Sequence, residues 1–109
     1  MEALGCAVGL IYLQRELRRF SLDFSECRYL GEIYAQIKRV LELPQWCGEN
    51  LDALWDAVTG MMYTPAEVTI IPKAGRKELQ EDVKEIITVF QEAQDEYNEI
   101  SVIVLEDAE

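Results

Sequence analysis

The sequence predicts one α/β domain, with three strands in a parallel sheet covered by three helices. Segments of strand character alternate with segments whose apolar residues recur every three or four positions, in the order strand, helix, helix, strand, helix, strand. The last of them, Ile100 to Leu105, is a nearly unbroken apolar run, the pattern of a strand buried on both faces of a helix-covered parallel sheet. A chain of 109 residues, half of them apolar and without an internal repeat or linker, suits a single core. Each return to the sheet is then a right-handed crossover.

The elements follow in order. Residues 1–18 form an extension ahead of the domain, which runs from 19 to 109. Leu4, Val8, Ile11 and Arg15 fall at helical spacing, although Ala7 to Leu13 also reads as a strand. Phe20, Leu22 and Phe24 alternate with Ser21 and Asp23, the period of a strand. Tyr29, Leu30, Ile33, Tyr34, Ile37 and Leu41 make the apolar stripe of an amphipathic helix, which Pro44 ends. Gln45 to Glu49 is a loop with Gly48 as its flexible point. Asn50 then caps a short helix from Leu51 to about Thr59, with Gly60 as its C-terminal stop. Val68 to Ile71 is a β-branched strand stopped by Pro72, and Lys73 to Arg76 is a turn. Leu79, Val83, Ile86, Ile87, Phe90 and Tyr97 line one face of a long helix.

Composition excludes several functions. With 21 acidic and 10 basic residues the chain carries a formal charge of −11, which disfavours nucleic acid and anionic membranes and favours a basic partner. There is no histidine, so the commonest general base and metal ligand is missing. Cys6, Cys27 and Cys47 form no CxxC pair, and an odd, widely spaced set reads as free thiols, mostly buried, in a reducing compartment. No metal or cofactor is expected. The apolar stretch Met1 to Leu13 precedes its arginines instead of following them and is too short to span a bilayer, so the expected location is the cytoplasm.

The charge is unevenly spread. Residues 1–39 hold six basic and five acidic side chains, whereas 40–109 hold four basic and sixteen acidic. From Val40 to Pro72 there are five acids and no base, and none follows Lys84. Asp52 and Asp56, four apart, share one face of the short helix beside Trp55, with Leu51, Leu54 and Val58 opposite. An acid in the first turn suits the helix dipole, which accounts for Asp52 but not for Asp56. A catalytic carboxylate pair needs two different environments, and neighbours on one exposed helix face share theirs. A rigid acidic rod that imitates phosphates needs only the spacing that is visible.

The run Leu43-Pro44-Gln45-Trp46-Cys47-Gly48-Glu49-Asn50-Leu51-Asp52-Ala53-Leu54-Trp55-Asp56-Ala57-Val58-Thr59-Gly60 resembles the signature segment of the barstar family of intracellular ribonuclease inhibitors. Val89-Phe90-Gln91-Glu92-Ala93 resembles the family's long helix, and element order agrees from about Phe20 to Leu105. The resemblance implies a three-stranded parallel sheet flanked by helices and a protein that plugs a basic ribonuclease active site. By the same resemblance Asp56 is the central anchor and Asp52 supports it one turn earlier. Trp46 packs on the enzyme, Thr59 and Gly60 close the far end, Glu92 reaches a rim arginine, and Trp55 buttresses the helix. Met61 and Cys47 stand where the family has aromatic residues. Pro72 to Lys77 is shorter than the family's helical region there, which implies a single turn or no helix. The expected partner is a microbial ribonuclease bound by a monomer; the alternative is a module of the same fold for another basic protein.

Overall fold

The computed structural model describes residues 16–105, so the helix-or-strand reading of the first residues, and Cys6 with it, lies outside the described residues. The elements are β1 (Arg18–Asp23), α1 (Leu30–Val40), α2 (Leu51–Gly60), β2 (Ala66–Ile71), a 3₁₀ turn (Lys77–Leu79), α3 (Gln80–Glu96) and β3 (Ile100–Val104). Arg18, placed above in the extension, is the first residue of β1. No helix forms between Pro72 and Arg76; the 3₁₀ turn feeds directly into α3.

The strands form one parallel sheet in the order β1-β2-β3. Phe20 sits beside Val68 and Val68 beside Val102; Leu22, Ile70 and Val104 form the next row. These rows face the helices. Phe20, Leu22, Ala66, Val68, Ile70 and Ile100 join Ile33, Ile37, Leu54, Val58, Ile86 and Phe90 in one buried cluster. The opposite face is different. Arg19, Ser21, Asp23, Ser101 and Ile103 are exposed there, and Arg19 reaches across to Glu67 at 3.5 Å.

The expectation that Ile100 to Leu105 is buried on both faces is therefore corrected. Ile103 is 40% exposed and Leu105 51%. β3 is an edge strand, and among the described residues the helices gather on one side of the sheet. An apolar run alone cannot distinguish two covered faces from one covered face with an apolar rim.

Three glutamines tie helices to backbone at a strand end (Asp23), within a strand (Val102) and in the turn after β2 (Ala74). Gln36 of α1 accepts from the Asp23 N–H (2.6 Å) and donates to the Asp23 carbonyl (2.8 Å). Gln80 accepts from the Ala74 N–H (2.7 Å), and Gln94 accepts from the Val102 N–H of β3 (2.7 Å). Each satisfies backbone groups that the sheet leaves unpaired.

The helix α1 stops before Pro44 is reached. Glu42 takes a left-handed φ of 58°, the Leu43 N–H bonds the Lys38 carbonyl (2.9 Å) and the Glu42 N–H bonds that of Arg39 (3.3 Å). This is the Schellman closure, with proline following where the helix has already ended.

Cys27 and Cys47 are free and buried, as expected from their apolar contexts. Burial raises the Cys27 pKa above its ordinary 9.0, and Glu32 and Asp23 push the same way against Arg39. The folded chain thus holds this proton more tightly than the unfolded chain. The thiol's contribution to stability is complete below the unfolded pKa and is lost as pH rises through the folded one. Denaturant midpoints should therefore fall as pH is raised beyond 9.0. In Cys27→Ala that part of the fall should disappear.

Candidate functional site

The site is built on α2. Asn50 is the cap that the sequence predicts: its side chain accepts from the Ala53 N–H at 2.8 Å. Leu54, Ala57 and Val58 turn inward and are buried, and Leu51 packs partly against the core. This leaves Asp52 and Asp56 exposed on the outer face. Neither makes an ion pair or hydrogen bond with any described residue. No base lies in the last turn of α2.

Gly60 departs from the expected stop. It is the last helical residue, and no glycine among the described residues has a positive φ. The helix closes instead on the Ala57 carbonyl, which accepts from both Met61 and Met62 N–H groups at 2.9 Å. A methyl group on Gly60 would meet nothing within 4 Å. The fold therefore does not require glycine there. Thr59, beside it, is partly buried and donates its hydroxyl to the Trp55 carbonyl at 2.7 Å.

The loop before α2 presents Trp46, 75% exposed. Lys38 of α1 holds this loop in place. Its side chain is only 12% exposed, and its Nζ lies 3.4 Å from the Gln45 carbonyl, 3.3 Å from that of Cys47 and 3.4 Å from Glu49 Oε2. The Cys47 thiol lies 3.7 Å from the Met61 sulfur, so the loop runs back along α2 to the helix's C-terminal end. A Cβ on Gly48 would stand 3.2 Å from Ala53 Cβ and from Asn50 Nδ2, so the loop also seats closely on the first turn of α2. Trp46, Gly60 and Met61 thereby belong to one end of the surface.

The structure brings Glu92 to Trp55. The partly buried indole, packed against the core, and the exposed Glu92, Asp95 and Glu96 of α3 line a shallow groove of about 410 Å³. An aromatic face ringed by carboxylates suits a guanidinium or ammonium group. The sequence pattern does not single out Asp95 and Glu96, although they lie in the same base-free stretch as Glu92, which the family resemblance names. Lys38 was also missed, because a lysine on a helix flank reads as a solvated charge until its carbonyl partners are known.

Among the described residues, no cluster of three or more Cys, Asp or Glu side chains could hold a metal ion, and no helix is long and apolar enough to cross a membrane.

Residues 17–106 match the family model described as Barstar (barnase inhibitor). The chain belongs to the barstar family. It is also 29% identical over 93 residues to the Bacillus subtilis (strain 168) protein named "Putative ribonuclease inhibitor YrdF"; the match spans 83% of this chain and all of that protein. The family assignment agrees with the sheet and helix order described above, with the segment 43–60 forming the exposed loop and α2.

Proposed function

We propose that this barstar-family chain is a protein inhibitor of a basic microbial ribonuclease. In this reading α2 enters the enzyme's active site and its carboxylates take the places of RNA phosphates. Asp56 is the anchor and Asp52 its support, Trp46 stacks on the enzyme, and Thr59 and Gly60 close the far end. Glu92 takes a rim arginine, and Trp55 buttresses the helix from behind. The chain binds and does not catalyse. It acts as a monomer in the cytoplasm of the cell that makes the nuclease, as protection against its own toxin.

The observation that carries this reading is the outer face of α2, where two carboxylates stand exposed and without ionic partners among the described residues on a capped, packed helix. Desolvating such charges against a basic site gains affinity only if they are held in place, and the Asn50 cap and the buried face of α2 hold them. The family assignment and the YrdF similarity support the same reading. The direct test is inhibition of small basic ribonucleases by the purified chain. Inhibition of none of them would remove the proposal.

Gly60 supplies a sharper test. Because a methyl there meets open space, Gly60→Ala should raise stability by about 0.5–1 kcal/mol, the usual gain for a helical site. If the bare backbone at Gly60 is where the enzyme approaches, the same variant should inhibit several-fold less well. Thermal melts and inhibition assays on one preparation would show the two effects moving in opposite directions. Unchanged inhibition would take Gly60 out of the contact.

A further inference from the structure

A second acidic groove, of about 390 Å³, opens where α1, the start of α2 and the start of α3 meet. Tyr34, Leu30 and Ile86 supply its apolar lining. Glu49, Asp52, Asp82 and Glu85 supply four carboxylates. Acidic residues alone would mean little here. The informative residue is Tyr34, which is 4% exposed yet lines the groove, and whose hydroxyl forms no hydrogen bond with any described residue. Because no buried side-chain polar atom among the described residues lacks a partner, the ring is packed while the hydroxyl oxygen itself is open at the groove, where it can take a partner from outside. Here the one polar atom of a packed ring is left facing a space edged with negative charge.

The carboxylates are also underused. Glu49 meets Lys38 at 3.4 Å, whereas Asp52, Asp82 and Glu85 have no ion pair among the described residues. Burial, followed by Asp82, Glu85 and Glu49, raises the Tyr34 pKa above its ordinary 10.0, so the hydroxyl keeps its proton and its acceptor lone pairs. The carboxylates do not converge closely enough to hold a metal ion. What fits is an extended organic cation, with an alkyl stem on Leu30 and Ile86 and a head that donates to the Tyr34 hydroxyl and several acids.

We propose that this groove receives an arginine or lysine side chain of the protein partner, next to the surface that α2 presents. The proposal rests on the function given above, because Asp52 both lines this groove and lies on the proposed inhibitory face. It adds a second attachment point, separate from Asp56, that reaches toward α1. Such a pocket selects among basic enzymes by where each carries a cation outside its active site.

The test uses the full chain and two readouts. In the first, acetyl-arginine methylamide is titrated in while NMR shifts are followed. The largest changes are expected at Tyr34, Asp82 and Glu85, and they should be lost in Asp82→Asn/Glu85→Gln and weakened several-fold in Tyr34→Phe. Shifts spread evenly over all acidic residues, or unaltered in these variants, would overturn the proposal. In the second, Asp82→Asn/Glu85→Gln should weaken binding to an inhibited ribonuclease by about tenfold, additively with Asp56→Ala. Loss of the probe with inhibition unchanged would separate the groove from the partner and overturn the proposal. Normal probe binding by a wild-type chain that inhibits no ribonuclease would instead count against the inhibitory function and support the groove's preference for cations. Circular dichroism of Tyr34→Phe, which preserves ring volume, checks that packing is intact.

Discussion

Asp56→Ala is expected to leave the protein folded and to weaken its inhibition of a basic ribonuclease by at least 30-fold. Central interface anchors commonly lose about 2 kcal/mol or more on truncation, which corresponds to roughly that ratio. The folded state should barely respond. Asp56 is exposed, has no ion pair or hydrogen bond among the described residues, and stands one turn from another carboxylate. Removing one of two like charges at this spacing relieves about 0.2–0.5 kcal/mol of repulsion in a helix. The melting temperature should therefore hold or rise slightly while affinity collapses. An on-rate that falls with added salt in the wild type, and falls less steeply in Asp56→Ala, would show that the same charge steers encounter. Wild-type inhibition by Asp56→Ala would remove Asp56 as the anchor.

Gly75→Ala should act on stability alone, costing about 1–3 kcal/mol, the usual range for overpacking. A Cβ at Gly75 would lie 2.7 Å from the Cys27 carbonyl oxygen and 2.9 Å from that of Ser25. Both are backbone atoms, and neither can rotate away. The Gly75 N–H also bonds the Cys27 carbonyl at 3.1 Å, so the turn before α3 is tied to the turn after β1. Relief of the clash would have to break that bond or shift Cys27, whose side chain is in the core. Urea unfolding of Gly75→Ala beside Gly60→Ala makes an internal comparison, since one glycine is required by neighbouring backbone and the other is not. If both variants had wild-type midpoints, the close approach at Gly75 would be wrong.

Much of this fold could be read from residue spacing. Alternation in Phe20-Ser21-Leu22 and the three-four spacing in α1 and α3 mark elements that each bury one face against a single core, so their patterns are clean. The Asn50 cap was legible because it depends on local geometry alone. The exposed outer side of β3 was not, since no feature within Ile100 to Leu105 records what packs on its far side. Gly60 was misread for a related reason: glycine is the common helix stop, yet here the helix closes on the Ala57 carbonyl. In the candidate site, the four-residue spacing of Asp52 and Asp56 puts them on one helix face, and the family resemblance points to Trp46; the structure exposes all three. Lys38, Asp95, Glu96 and the groove around Tyr34 depend on contacts between elements far apart in the chain, which spacing cannot show.

The position of Lys38 has a thermodynamic consequence. Its ammonium group joins three points of the loop that carries Trp46, so that loop is already ordered before any partner arrives. Immobilising a side chain on binding typically costs about 0.5–1.5 kcal/mol, and a loop that must also be ordered costs more. Here much of that entropy is already surrendered when the chain folds. Under the proposed function, association would proceed with little rearrangement, and differences in affinity among ribonucleases would reflect the fit of two nearly rigid bodies. Under that same function, a positive charge that by itself opposes attraction to a basic enzyme would favour the complex by fixing the backbone that presents Trp46, the most exposed aromatic among the described residues.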